Sequence, residues 1–231
     1  MTRCIDMYKT TTMIVGLTAA LLCNTVVLSA EVGASDSESG GRVTMKYDVD
    51  DSEVDTMSSF HASSACAVHV VPTSDARQNK ETIGQFVSGA LLVDDIGPWM
   101  TEGLGHLKDF GYTVSAASAN APPAADGVTI RTSVTRAYTW QIGMKLFSMV
   151  AVKVEFDDHN GVLQQKYYRS HGDKTNMWGA KAEYVDTLNY ALNNLLPFVA
   201  RDLQSLCKGE RVDSYTYAGP DGLPKASDEA K

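Results

Sequence analysis

The chain has 231 residues, of which 44% are hydrophobic and 21% are charged, and its formal net charge at pH 7 is −8. This length suffices for one ordinary domain with a buried core. The acidic balance argues against non-specific binding to nucleic acid or to an anionic bilayer, because both repel acidic proteins.

The N-terminus has the three parts of a secretory signal peptide. Basic residues start it, residues 13–28 are apolar, and small residues follow. We therefore expect residues 1–30 to be a signal peptide that is cleaved after Ala30 or after Ala34, with an uncleaved membrane anchor as the alternative. No second apolar run reaches the roughly 18 residues that are needed to span a bilayer.

Cys23 lies inside the apolar run and raises the alternative of a lipid anchor. A bacterial lipoprotein signal has a small residue directly before its cysteine, whereas Leu21 and Leu22 precede Cys23. These neighbours favour a soluble exported protein. We therefore expect a periplasmic location, with an outer-membrane lipoprotein or a secreted protein as alternatives.

The next segment, 31–64, is rich in Ser, Gly, Asp and Glu. Such a composition cannot bury enough apolar surface to offset the conformational entropy of folding. We expect a flexible acidic linker here, with only a weak strand pattern at 43–47. The folded domain is expected over 65–209, and a disordered tail over 210–231, where Pro and Gly recur.

The first part of the domain predicts two strands and a helix. CAVHVV (66–71) is a strand candidate that ends at Pro72, and QFVSGALLV (85–93) can pair back onto it. In the following segment, 94–110, apolar residues recur at three- and four-residue steps, which is typical of one helical face. Gly111 is placed to end this helix.

Four further strands are expected after this helix. YTVSAA (112–117) is short, whereas VTIRTSVTRAYTW (128–140) and KLFSMVAVKVEF (145–156) alternate between apolar and polar residues. Asn160-Gly161 is a strong hairpin dipeptide. VLQQKYYRS (162–170) then returns as the partner strand.

The last element, about 180–207, has an apolar stripe with helical spacing, and Pro197 is expected to kink it. The order of the elements predicts an α+β fold, a two-layer sandwich with a mostly antiparallel sheet and two helices on one face.

Two cysteines remain beyond the signal, Cys66 at the start of the first strand and Cys207 at the end of the last helix. A cysteine pair in an exported protein is most simply a disulfide, with two buried free thiols as the alternative. The lack of a pair of histidines near the two cysteines argues against a zinc site. We expect no metal and no cofactor.

Four stretches carry a resemblance to a known family: PTSDARQNKETIG, LKDFGYTV, the hairpin VAVKVEFDDHNGVLQQKYYRS, and YVDTLNYALNNLL. The chain resembles the YajG-like family of small envelope lipoproteins of Gram-negative bacteria over about Val68 to Leu206. The resemblance implies a periplasmic or outer-membrane location, a two-layer α+β fold and an accessory role in envelope transport or assembly, with no agreed enzymatic activity. The chain departs from the family pattern at the anchor cysteine.

Two polar or aromatic groups are candidate binding residues. Asp75 and Arg77 offer an anion or partner site through the guanidinium fork, with a local salt bridge or Asx turn as the alternative. Tyr167, Tyr168, Arg169 and Trp178 suggest an aromatic interaction surface, because Tyr and Trp favour interfaces. The alternative is that these side chains line the edge of the core.

His171 and Asp173 are the candidate general base of a hydrolase. The adjacent Ser170 would point to the other side of a strand, so no nucleophile with fixed geometry is visible.

We therefore expect an exported, envelope-associated accessory protein that binds a protein partner through the sheet face without helices and through edge strands, with no catalysis.

The alternatives are a carrier of a small apolar or lipid ligand held between sheet and helices, and the His171/Asp173 hydrolase. We expect no nucleic-acid partner and membrane contact only through a lipid or a partner. The oligomeric state stays open.

Overall fold

The structure is a computed structural model and describes residues 41–49, 60–63, 65–86, 89–122, 124–158, 161–176 and 180–218. Within these ranges the chain forms nine strands and two α-helices. The strands are β1 (Ala67–Val70), β2 (Ser74–Asp75), β3 (Thr82–Phe86), β4 (Gly89–Leu92), β5 (Thr113–Ala116), β6 (Val128–Ile142), β7 (Lys145–Asp158), β8 (Gly161–Thr175) and β9 (Tyr215–Ala218). The helices are α1 (Gly97–Gly105) and α2 (Ala182–Cys207), and a 3₁₀ helix (His106–Phe110) directly follows α1. The predicted signal peptide lies outside the described residues.

β6 is the long strand to which most of the sheet is attached. One of its edges pairs antiparallel with β7, which pairs antiparallel with β8. The other edge accepts β1, β2 and β3 in turn, all parallel to β6. β5 adds to β1 and β9 adds to β8, both in parallel, because α1 and α2 carry the chain back across the sheet. The predicted α+β sandwich is confirmed, with long antiparallel pairings and short parallel ones in a mixed sheet.

Segment 85–93 does not pair with β1, so the predicted pairing of these two segments is wrong. Its residues fall in β3 and β4, which pair with each other, and β3 joins β6 where Gly84 faces Thr139. Gly84 has a φ of 153°, and a Cβ there would overlap the carbonyl oxygen of Thr139. The long free edge of β6 and the absence of a side chain at Gly84 together make this pairing available.

Both helices pack on the same face of the sheet, as predicted. The predicted apolar stripe of α2 is buried throughout: Val185, Leu188, Leu192, Leu195, Val199, Leu203 and Leu206. The indole Nε1 of Trp99 on α1 donates a hydrogen bond to the Asn189 side chain of α2 at 2.7 Å. Gly111, with a φ of 93°, ends the 3₁₀ helix. Pro197 lies inside α2, and the predicted kink there stays a prediction.

A β-bulge in β6 reverses the two faces of the strand. Before it, Ile130 and Val134 face the helices, whereas beyond it Ala137 and Thr139 do. The pairing with β7 shifts between Val134 and Arg136, where one extra residue is inserted. Without this insertion, the alternation would turn Arg136 and Tyr138 toward the helices, and Ala137 and Thr139 away from them.

Parts of the predicted linker and tail belong to the folded unit. Val43 N donates to the carbonyl of Leu92 at 2.8 Å, and Val43 and Tyr47 are buried against the core. In the predicted tail, β9 pairs with β8, with Tyr215 opposite Tyr167. These corrections arise because short apolar and aromatic alternations, too weak to predict a strand alone, gain a partner in the folded sheet.

The predicted disulfide between Cys66 and Cys207 is present, with 5.7 Å between the two Cα atoms. It joins the residue before β1 to the last residue of α2. Beside it, the Gln204 side chain accepts a hydrogen bond from the Ser63 backbone N–H at 2.7 Å. In the part of the chain that the structure describes, we find no helix with the length and apolar character needed to cross a membrane.

Candidate functional site

The sheet face turned away from the helices carries a continuous aromatic surface, which we call the outer face. Alternation along β7 buries every second side chain under α2 and leaves the intervening ones half-exposed. The aromatic and imidazole side chains on the outer face are Tyr138, Trp140, Phe147, Tyr167, His171, Tyr215 and Tyr217. Among them, Tyr138, Tyr167, Tyr215 and Tyr217 are between 44% and 53% exposed.

Ring contacts link five of these side chains, on four strands: Tyr138, Trp140, Phe147, His171 and Tyr217. Trp140 stacks with Phe147 at 5.8 Å between ring centroids and with Tyr138 at 6.3 Å. His171 meets the edge of Trp140 at 6.3 Å and of Tyr217 at 5.4 Å. Offset and edge-on aromatic pairs stabilise one another, so the outer face is a preformed surface rather than a set of independent side chains.

The bulge in β6 is the local cause of this surface. It turns Arg136, Tyr138 and Trp140 outwards, where they line up with residues of β7 and β8. β-Bulges commonly occur where a strand re-aims a side chain toward a site. Arg136 and Tyr138 could not be predicted from the sequence as site residues, because a bulge leaves no mark in the alternation before it.

A groove of about 400 Å³ opens on the outer face beside the aromatic contacts. Its floor is Ala151 of β7, which pairs with Arg136 on one side and with Arg169 on the other. Met149, Tyr167 and Tyr215 complete its walls. The small alanine side chain leaves room between two guanidinium groups.

The two arginines of this groove carry positive charge that the described part of the chain does not offset by an ion pair. Neither Arg136 nor Arg169 forms an ion pair with a carboxylate of the described residues. The Arg169 guanidinium lies 5.9 Å from the ring centroid of Tyr217, within cation–π range. The groove therefore presents positive charge held partly in place by an aromatic ring.

Other charged side chains of the outer face are already paired. Lys153 contacts Glu155 at 2.7 Å, and Lys145 contacts Asp173 at 3.2 Å. These pairs flank the groove without adding net charge, so the local field on this face is that of the two arginines.

His171 lies between the groove and the aromatic contacts. Burial lowers its pKa from the ordinary value, and the positive charge of Arg169 lowers it further. Its Nδ1 is buried with no hydrogen-bond partner, and its Nε2 lies 3.5 Å from Nη2 of Arg169. Burial and the charge of Arg169 thus both favour the neutral imidazole beside the cationic groove.

The predicted hydrolase pair is not assembled as a catalytic dyad. His171 and Asp173 are two residues apart on β8, and Asp173 is engaged with Lys145 on the neighbouring strand. Ser170 is fully buried on the side of the helices, as strand alternation predicts. Among the described residues, this geometry gives His171 neither an orienting carboxylate nor a nucleophile.

The predicted KYYR residues divide between the two faces. Tyr167 and Arg169 are exposed on the outer face, whereas Tyr168 is buried and its hydroxyl donates to Asp202 of α2 at 2.6 Å. Alternation along the strand explains the division. Trp178 lies outside the described residues.

Asp75 and Arg77 adopt the structural alternative that the sequence analysis offered. The Arg77 guanidinium donates to both Asp75 oxygens and to the carbonyls of Lys80 and Thr82, and its side chain is 3% exposed. Asp75 also accepts the Arg77 backbone N–H at 3.0 Å, which is an Asx turn. Burial opposes ionisation of Asp75, but the hydrogen bonds and charge of Arg77 outweigh it and keep the pKa of Asp75 below its ordinary value. The guanidinium of Arg77 therefore makes its hydrogen bonds within the loop, as the structural alternative predicts.

His69 on β1 forms a separate polar cluster with Ser115 and Asp126. His69 Nδ1 is 2.8 Å from Ser115 Oγ, and its Nε2 is 3.1 Å from the carbonyl oxygen of Asp126. In a neutral imidazole, Nε2 donates to that carbonyl and Nδ1 accepts the serine hydroxyl. The contacts tie β5 and the loop before β6 to β1, and none of the grooves described here is lined by these residues.

Two other surface grooves have volumes of about 300 and 370 Å³. The first lies between residues 43–48 and α2, and the second beside Lys80 and Asp95. Neither is placed between the sheet and the helices, where the predicted ligand cavity would be. Among the described residues, no group of three or more His, Cys, Asp or Glu side chains is arranged to hold a metal ion.

No protein-family model and no curated protein matches the sequence. Among solved structures, the chain is similar to a Xanthomonas campestris protein of family DUF330, with 7% identity and a TM-score of 0.43 over 70% of this chain and 91% of that one. It is also similar to a putative lipoprotein from Caulobacter crescentus, with 13% identity and a TM-score of 0.36 over 57% and 93% of the two chains. A lipoprotein from Neisseria meningitidis has 15% identity and a TM-score of 0.31 over 55% and 95%. At these scores the similarities establish neither a family nor a function for this chain.

Proposed function

We propose that this chain is an exported accessory protein of the bacterial cell envelope, that it works in the periplasm, and that it acts without catalysis by binding another protein through its outer face. The signal-like N-terminus supports export. The outer face supports the mode of action, because it gathers exposed aromatic side chains on a rigid sheet.

The observation that carries the proposal is the exposed aromatic surface itself. Exposed apolar area costs free energy in water, and large contiguous patches on a folded protein commonly mark interaction sites. Tyrosine, tryptophan and arginine are the residues that dominate binding energy at protein interfaces. Trp140, Tyr217 and Arg169 meet on this face within a few ångströms of His171.

The rest of the fold supports a surface that changes little on binding. β7 and β8 are long paired strands backed by α2, and the disulfide fixes the end of α2 to the start of the sheet. A partner therefore meets a surface that needs little ordering, which lowers the entropic cost of association.

Site-specific crosslinking in the native host tests this proposal. A photoreactive amino acid at Tyr138 or Tyr217 is expected to give a discrete crosslinked protein band, the same from both positions. The control is the same amino acid at Lys108, an exposed position on the 3₁₀ helix. Bands that are equally strong from Lys108, or no band from either face position, would contradict binding through the outer face.

A further inference from the structure

We propose that the groove between Arg136 and Arg169 receives a carboxylate side chain from a short extended peptide segment of the partner protein. The inference rests on the proposed function and names the chemistry that the outer face recognises. The observation that carries it is the placement of two arginines, neither of them ion-paired with a carboxylate of the described residues, on either side of Ala151.

The register determines the spacing of the two arginines. Arg136, Ala151 and Arg169 are directly opposite one another on three adjacent strands. Neighbouring strands are about 4.8 Å apart, so the two arginine backbones are separated by about 10 Å, and their long side chains can converge above the alanine. A carboxylate between them can accept hydrogen bonds from one or both forks, which is the strong geometry for this pair of groups.

Neighbouring features of the sheet also position the two arginines. The β6 bulge turns Arg136 outwards, and the bulged residue Thr135 donates its hydroxyl to the Ala151 carbonyl at 3.0 Å, which secures the bulge above the groove floor. Tyr217 holds the Arg169 guanidinium from the β9 side. The groove is thus organised before any ligand arrives.

Charge distribution selects a short segment rather than a long polyanion. The chain as a whole carries −8, so its overall field repels a ligand with many negative charges. The attraction is confined to the groove, where the neighbouring lysines are already neutralised by Glu155 and Asp173. One or two carboxylates satisfy this local charge.

The groove walls indicate that the carboxylate comes from a peptide. Tyr167, Tyr215 and Met149 offer aromatic and apolar contacts beside the charge. An extended segment whose side chains alternate can place an acidic residue over Ala151 and an apolar residue against these walls. A free small anion would leave the walls without a contact.

The test uses two peptides that differ in one group: acetyl-Thr-Val-Glu-Phe-Thr-amide and the same peptide with Gln in place of Glu. Binding is followed at low ionic strength by the imidazole NMR resonances of His171. The Glu peptide is expected to bind at least fivefold more tightly and to raise the pKa of His171, because it offsets the charge of Arg169. The Gln peptide is expected to leave the pKa of His171 unchanged.

Variants assign the preference to the groove. Arg136→Gln and Arg169→Gln are each expected to abolish the preference for the Glu peptide, and Arg169→Lys to retain part of it, since charge remains but the fork is lost. The matched control is the double variant Lys153→Gln/Glu155→Gln, which removes a neighbouring pair without changing net charge. It is expected to retain the full preference.

Three results would overturn the inference. Equal binding of the two peptides would exclude carboxylate recognition, and it would leave the proposed function standing if the Tyr138 and Tyr217 crosslinks persist. Glutarate binding as tightly as the Glu peptide would identify a free dicarboxylate as the ligand. Self-association in sedimentation equilibrium that is lost in Arg169→Gln would identify a second copy of the chain as the occupant.

Discussion

Lys166 and Asp202 form a buried ion pair between β8 and α2, with 2.6 Å between Nζ and the carboxylate oxygen. The lysine side chain is 3% exposed, and the same carboxylate accepts the hydroxyl of Tyr168 at 2.6 Å. Burial, together with the charge and hydrogen bond of Asp202, raises the pKa of Tyr168 well above its ordinary value. This pair links the last helix to the strand whose other side forms the outer face.

Removing the carboxylate is expected to destabilise the domain strongly. Asp202→Ala leaves the Lys166 ammonium buried without a counter-charge, which costs about 3–5 kcal/mol in the free energy of unfolding. The double variant Lys166→Met/Asp202→Leu removes both charges and is expected to recover most of that loss. Urea unfolding of the three proteins measures this. A double variant as unstable as Asp202→Ala would show that the pair itself, rather than its desolvation, carries the stability.

The disulfide is expected to contribute as much as any side-chain contact. Closing a loop of 141 residues between Cys66 and Cys207 restricts the unfolded chain, and the entropic model gives about 4–5 kcal/mol as an upper figure. Cys66→Ser/Cys207→Ser is expected to lower the urea midpoint, and a reducing agent is expected to have the same effect on the wild type but none on the variant. A reductant effect on the variant would point to another cause.

The sequence predicts the elements whose periodicity is long and uninterrupted. The stripe from Val185 to Leu206 and the alternation of β7 and β8 place their side chains correctly, because burial of one face determines both patterns. The same alternation separates Tyr168 from Tyr167 and Arg169. The disulfide could be predicted because only one cysteine pair remains beyond the signal.

Features that depend on pairing with a strand far away in the sequence could not be predicted. Nothing in residues 128–140 signals the bulge that turns Arg136 outwards, since a bulge shows only against the strand it pairs with. In β9 and in residues 41–49 the alternation is too short to predict a strand alone, and each segment pairs with a sheet edge that other segments build. Two of the seven aromatic and imidazole side chains of the outer face, Tyr215 and Tyr217, come from β9.

Gly84 is expected to be the most sensitive glycine of the sheet. An alanine there would place its Cβ against the Thr139 carbonyl and adopt a φ that favours glycine, so Gly84→Ala is expected to cost about 1–3 kcal/mol or more. The matched control is Gly105→Ala at the end of α1, where a Cβ meets nothing within 4 Å. That change is expected to be neutral or slightly stabilising, because alanine favours helix. Urea midpoints compare the two, and equal values would contradict the close approach of β3 to β6.

The pKa of His171 provides a direct readout of the groove. Burial is the larger cause that lowers this pKa, and the charge of Arg169 on the same strand is the second. Trp140 and Tyr217 pack against the ring from β6 and β9. The nearest described carboxylate along β8, Asp173, is neutralised by Lys145. Arg169→Gln is therefore expected to raise the pKa of His171 toward the ordinary value near 6.5, as measured by NMR titration of the ring protons.

The same shift makes stability depend on pH with a defined sign. Because the folded-state pKa of His171 lies below that of the unfolded chain, the unfolded state takes up the proton first as pH falls. The stability linked to this site is fully present above about pH 6.5 and is lost as the pH falls through the folded-state pKa. Urea unfolding is measured between pH 7.5 and 5. The loss of stability over this range is expected to be smaller in Arg169→Gln than in the wild type. In His171→Gln, the part of the loss that His171 causes is expected to be absent. A loss that is unchanged in His171→Gln would assign the acid sensitivity to another group.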